Sequence, residues 1–201
     1  MSDTRESILL AALRLFAEDG YEAVSVSRIA GALGMTKGAL YKHYKNKLDI
    51  FDSILARMEE LDRAHAAQFD LPEGTPGEMA DAYRNASVDK IIGFSRAMFR
   101  YWTEEEFPRC FRRMLTLEQY RNAEMGALYQ QYLAAGPLQY VTDLFAGLGL
   151  PDPRGLAAAF YGPMFLLYSC YDGAADKGDA LTLLDGHFEK MRAALGGEND
   201  G

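Results

Sequence analysis

Apolar residues recur every three or four positions along most of the chain, and no stretch keeps the two-residue alternation of a half-buried strand between hairpin turns. Ile8, Ala12, Leu15 and Phe16 predict a first helix that ends at Gly20. Ser25 can cap a second helix with Ile29, Ala30 and Leu33 on its inner face, and Gly34 supplies the permissive backbone that ends it. Thr36 can cap a third, in which Leu40 and Tyr44, four apart, point inward. Asn46 can cap a long fourth helix whose stripe of Leu48, Phe51, Leu55 and Met58 runs to about Phe69. The segment Leu71–Gly77, with two prolines and two glycines, breaks the pattern and reads as a linker. Beyond it the pattern predicts helices over 80–102, 104–116, 118–134, 136–148, 153–172 and 179–195, with Pro108, Pro137, Pro151 and Pro153 at starts or breaks. The expected fold is all-α: an N-terminal three-helix unit over 1–47, a connecting helix over 48–70 and a C-terminal helical domain over 71–201.

Charge changes this picture in one place. The 201 residues carry a formal charge of −8, with 49% apolar and 25% charged residues, an ordinary globular composition. From Arg28 to Lys47, however, there are five Lys or Arg and no Asp or Glu. Residues 1–50 hold seven Lys or Arg against six Asp or Glu, net +1, which leaves −9 for the remainder. A polyanion would be welcome only at the second and third helices, where Lys37, Tyr41, Lys42 and His43 are left facing outward. Two short helices joined by a tight turn, the second carrying basic and aromatic groups, suit entry into a DNA groove.

Residues 8–50 go further. The order Gly20-Tyr21, Ser25-Val26, Ile29-Ala30, Gly34-Met35-Thr36-Lys37-Gly38-Ala39-Leu40-Tyr41, then Tyr44, Lys45, Lys47 and Leu48 resembles the N-terminal domain of the TetR family of bacterial transcriptional regulators. The resemblance covers about a quarter of the chain. It implies that residues 1–47 are a helix-turn-helix domain whose DNA contacts come from Ser25, Ser27 and Arg28 on the second helix, from Lys37, Gly38, Ala39, Tyr41, Lys42 and His43 on the third, and from Lys47 at the start of the fourth. Chemically, Ser25, Tyr41 and Lys47 suit phosphates, whereas Lys37, Lys42 and His43 suit base edges. Ala39 can touch a thymine methyl, and Gly38 lets the helix approach closely. Ser27 stands where many relatives have a larger polar residue, so base reading by the second helix is the weakest part of the transfer.

The last two helices bear on assembly. Leu156 to Tyr171 is apolar all round, including Phe160 and Met164, and such a helix needs cover on more than one side. Leu181, Leu184, Phe188, Met191 and Leu195 repeat at three, four, three and four, a seam that serves either a partner or an ordinary core. The family resemblance implies a homodimer through these two helices, and therefore a near-palindromic duplex operator. Phe160, Met164, Leu181, Leu184, Phe188 and Met191 are the expected interface.

The middle helices are dense in aromatic and methionine side chains. At helical spacing these suit a core, but twelve tyrosines supply more hydroxyls than a dry core satisfies cheaply. An apolar or aromatic small molecule among Phe94, Met98, Trp102, Tyr129 and Tyr168 is the alternative. Arg96, Arg100, Arg112 and Arg113 can pair with an anionic group or with Glu104, Glu105 and Glu106, and the second is the expectation. The remaining features point away from catalysis and cofactors. His43, His65 and His187 make no metal spacing, Cys110 and Cys170 make no redox motif, and no nucleophile elbow, phosphate loop or dinucleotide fingerprint occurs. With no continuous apolar run of membrane length and no signal peptide, the expected location is the cytoplasm. A protein-binding helical module is the competing class, and a transcriptional activator the competing mode.

Overall fold

The computed structural model describes residues 4–69 and 87–196, and among them all regular structure is helical. In chain order the helices are α1 (Thr4–Asp19), α2 (Val26–Ala32), α3 (Lys37–Leu40), α4 (Lys47–Ala66), α5 (Val88–Glu104), α6 (Glu106–Glu118), α7 (Ala123–Leu133), α8 (Ala135–Gly147), α9 (Pro153–Gly173) and α10 (Lys177–Gly196). A short 3-10 turn, Ala67–Phe69, follows α4. The predicted linker Leu71–Gly77 and the first residues of the helix expected from 80 lie outside the described residues.

The three capped starts form as the sequence requires. Ser25, Thr36 and Asn46 each take extended backbone, and their side chains accept from the amides of Arg28, Ala39 and Asp49. Gly20 and Gly34 adopt φ of +86° and +63°, the left-handed region that glycine enters without penalty. The third helix is shorter than expected. After Leu40 the amides of Lys42 and His43 bond the carbonyls of Ala39 and Leu40, so the helix tightens into turns before Tyr44. Gly38 and the run of aromatic and imidazole side chains from Tyr41 to Tyr44 are poor helix formers.

The chain clusters into two compact units. The first joins residues 1–69 to 105–129, and the second joins 70–104 to 130–201. This division differs from the sequence-based one, because α6 lies lengthwise on α1 and also meets α4. Ile8, Leu13 and Phe16 of α1, Ile54 and Met58 of α4, and Phe111, Met114 and Leu115 of α6 are fully buried in that unit. In α4 the buried stripe is Ile50, Phe51, Ile54 and Met58, and Leu48, expected inside, is half exposed. Its place one residue beyond Lys47 points it off the α1 side, and Ile50 takes the core position. Leu33 likewise ends α2 in a partly exposed position.

In the second unit α9 is central, packing on α8, α10 and α5. It buries Ala157, Phe160, Tyr161, Met164, Leu167 and Tyr168. Arg96 of α5 pairs with Asp185 of α10 at 2.7 Å, and Arg192 of α10 pairs with Asp89 of α5 at 2.7 Å. Arg96 therefore does not pair with Glu104–Glu106 as expected. Glu106 belongs to the other unit, where Arg14 of α1 grips it with two bonds of 2.6 and 2.9 Å.

Candidate nucleic-acid interface

Three anchors set the helix-turn-helix. Ile29 and Ala30 of α2 and Leu40 of α3 are buried, which fixes the side of each helix that faces inward. Tyr44 closes the segment. Its ring is buried and its hydroxyl donates to the Arg5 carbonyl at 3.1 Å, tying the start of α1 to the turn after α3. Burial pushes this hydroxyl above the ordinary tyrosine range, so it remains a donor at neutral pH. The Arg5 guanidinium lies 4.8 Å above the same ring.

What this leaves outside is basic. Lys37, Lys42 and Lys45 are exposed, and Tyr41 is 44% exposed with the Lys37 ammonium 5.6 Å from its ring. Gly38 is open. An added Cβ there would meet only the Thr36 hydroxyl, at 4.0 Å, so a DNA backbone could approach the first turn of α3. Ala39 and His43 are half-buried at the edges of this face. Lys45, whose amide donates to Asp49 at 2.8 Å, belongs to the exposed basic set but was missed as a candidate, although the charge run contains it.

The α2 side is less free. Ser25 and Ser27 are exposed, but the Ser25 hydroxyl already caps α2. Arg28 is held by Asp19 at 2.5 Å. Lys47 is also engaged: its ammonium donates to the Tyr21 carbonyl at 2.9 Å and lies 4.1 Å from the Tyr21 ring. That ring in turn packs on Phe16 at 5.1 Å and on Phe51 at 5.3 Å. Lys47 is thus a strut between the α1–α2 turn and the start of α4, with two protons left for a phosphate.

The other expected sites fare differently. Phe94, Met98, Trp102 and Tyr168 fall in the second unit and Tyr129 in the first. Tyr168 is stacked on Phe99 at 5.2 Å with the rings 7° apart, Trp102 meets Tyr101 and Tyr132 edge-on, and Phe94 meets Tyr140. Only Phe94 and Met98 among these retain partial exposure. Most residues of the expected dimer interface pack within the single chain. Phe160, Met164, Leu184, Phe188 and Met191 are buried inside the single chain, because α10 turns its seam onto α9 and α5. Leu181 is half-buried. On α9 and α10 the large apolar side chains left outside, among the described residues, are Phe165 at 38%, Leu166 at 63% and Leu183 at 63% exposure. Ala158, Gly162 and Ser169 share the outward side of α9 with them.

The fold and this basic, capped helical pair define a helix-turn-helix protein. Comparison with known proteins narrows the class. Residues 8–54 match the model of the bacterial regulatory proteins of the tetR family. The transcriptional repressor BepR of Brucella suis is 45% identical over 75 residues, 35% of each chain. The transcriptional regulator AcrR of Shigella flexneri is 42% identical over 71 residues, 33% of each chain. The chain thus spans about a third of the length of these curated relatives. Over nearly the whole chain the fold is like that of the fatty acid degradation regulator FadR from Bacillus halodurans, with a TM-score of 0.62 at 19% identity, covering 95% of both chains. Residues 8–54 thus carry the N-terminal domain of the tetR family of bacterial regulatory proteins.

Proposed function

We propose that this chain is a DNA-binding transcriptional regulator, a homodimeric repressor that holds a near-palindromic duplex operator and releases it when a small apolar or aromatic molecule binds. The observation that carries the reading is the exposed set Lys37, Tyr41, Lys42 and Lys45 on a rigidly capped helix-turn-helix. Lys42 is the base-reading candidate, because its side chain is exposed and, among the described residues, nothing engages its ammonium. Lys37 and Tyr41 supply phosphate or base contacts beside it, and Lys47 adds a phosphate contact from its place against Tyr21.

The partner face of the homodimer is the outward side of α9 with Leu183 of α10. Phe165, Leu166 and Leu183 support it, together with the small Ala158 and Gly162 that allow close approach. The ligand reading rests on the half-buried Phe94 and Met98 and the aromatic groups around them, so an uncharged or amphipathic molecule suits the second unit best. Its effect on DNA follows from linkage: a ligand that lowers operator affinity ~100-fold must bind the DNA-bound form ~100-fold less tightly. The work of such a protein is at chromosomal DNA, in the bacterial cytoplasm, and consists of binding rather than catalysis.

Selection of bound sequences from random duplex DNA tests the reading. The expected product is a near-palindrome whose half-sites lie about one helical turn apart, ~34 to 36 Å, or a multiple of it. Recovery of no preferred sequence would overturn it.

A further inference from the structure

The end of α6 and the α1–α2 turn meet at a buried carboxylate. Glu118, the last residue of α6, is fully buried, and among the described residues no group donates a hydrogen bond to either of its oxygens. Among the described residues its counter-charge is Arg121, whose Nη1 lies 3.8 Å from Oε1 and whose side chain is 63% exposed. The carboxylate stands at the C-terminal ends of α1 and α6, where the helix dipoles carry partial negative charge and oppose it. A buried carboxylate so placed is costly, and a neutral amide of the same shape would serve the core better.

Its seat is specific. Gly20 follows α1 with φ of +86°, and its amide bonds the Phe16 carbonyl at 3.0 Å. A Cβ added to Gly20 would overlap Glu118 Oε1 and come within 3.5 Å of Arg121 Nη1, so the glycine leaves the space that the carboxylate fills. One residue on, the Tyr21 carbonyl holds Lys47 at the start of α4, and four residues further Ser25 caps α2. The position of Gly20 therefore reaches both α2 and the base of α4 through short, bonded connections.

We propose that Glu118 is a positioning residue for the helix-turn-helix: seated against Gly20, it fixes the α1–α2 turn, and exposed Arg121 is the counter-charge that keeps the seat occupied. The functional consequence rests on the DNA-binding reading above, and the structural one does not. Arg121→Ala leaves the carboxylate buried without its counter-charge, and the turn should give way. Amide exchange over residues 20–30 should then speed up, and affinity for a selected duplex should fall by roughly tenfold or more. Glu118→Gln in the same chain should restore both to near the unmodified values, a rescue that loss of an ordinary surface arginine would not show. Exchange and affinity unchanged in Arg121→Ala, or a double variant no better than the single one, would overturn the proposal. If the unmodified chain binds no duplex while the exchange rescue is seen, the role of Glu118 at the turn stands and the DNA-binding reading fails.

Discussion

The helix-turn-helix and the outward side of α9 both have side chains left over once the core is filled, and the leftovers are of opposite kinds. Around α3 the apolar positions, Leu40 and Tyr44, are spent inside, and what remains is Lys37, Tyr41, Lys42 and Lys45. On α9 the inner side takes Phe160, Met164 and Leu167, and what remains is Phe165 and Leu166. A surplus of positive charge calls for a polyanion, which binds through counterion release. A surplus of apolar surface calls for another apolar surface, and a symmetric copy supplies one. On this reading the two faces should respond oppositely to salt.

Substitutions at the two C-terminal helices separate inner from outer positions and should give the largest effects. Leu184→Glu buries a carboxylate between α10 and its neighbours and should cost more than about 4 kcal/mol of folding stability, seen as loss of the cooperative melt or a large drop in Tm. Leu166→Glu should leave the melt of the isolated subunit nearly unchanged and convert the dimer to monomer in light scattering. If Leu166→Glu remains dimeric at micromolar concentration, the outward side of α9 is not the partner face.

On the basic face the effects are smaller and differ in kind. Lys42→Ala should cost ~1 to 3 kcal/mol on the preferred duplex and relax preference at one base pair, measured by titration against single-substituted operators. Lys47→Ala removes the strut to Tyr21 as well as the proposed phosphate contact. It should lower stability by ~1 to 2 kcal/mol in denaturant melts and weaken all duplexes about equally. A purely sequence-selective loss with Lys47→Ala would invert the assigned roles.

The smallest expected effect concerns acid stability. Hydrogen bonds from Arg14 hold the Glu106 carboxyl below its ordinary value of about 4.5. A carboxyl with a depressed folded pKa adds stability above its unfolded pKa and loses it as pH falls toward the folded one. The pair is about half exposed, so the change is modest. Glu106→Gln should flatten the fall in Tm below pH 4.5, and an unaltered acid limb would show that the pair adds nothing in solution.

Much of this was legible in the sequence because local chemistry decided it. The caps at Ser25, Thr36 and Asn46, the glycine at 34 and the inward pair Leu40 and Tyr44 act over three to five residues, and each stands where the spacing placed it. What local spacing left open is tertiary. The stripe Leu184, Phe188 and Met191 has one spacing whether it meets α9 of its own chain or a partner, so periodicity could not distinguish core from interface. The packing of α6 on α1, and with it the Arg14–Glu106 pair and the seat of Glu118, joins residues about a hundred positions apart that no local pattern connects. Lys47 showed as a charge in sequence, but its hold on Tyr21 depends on how two turns approach each other.

The most direct test is the affinity of the unmodified chain for a selected duplex and for a scrambled one over a range of salt concentrations. A basic reading face predicts that log K falls linearly with log salt with a slope of several, and that the selected duplex is preferred by ~10³-fold or more at physiological salt. Equal affinity for both duplexes, or binding to neither at low salt, would contradict the account.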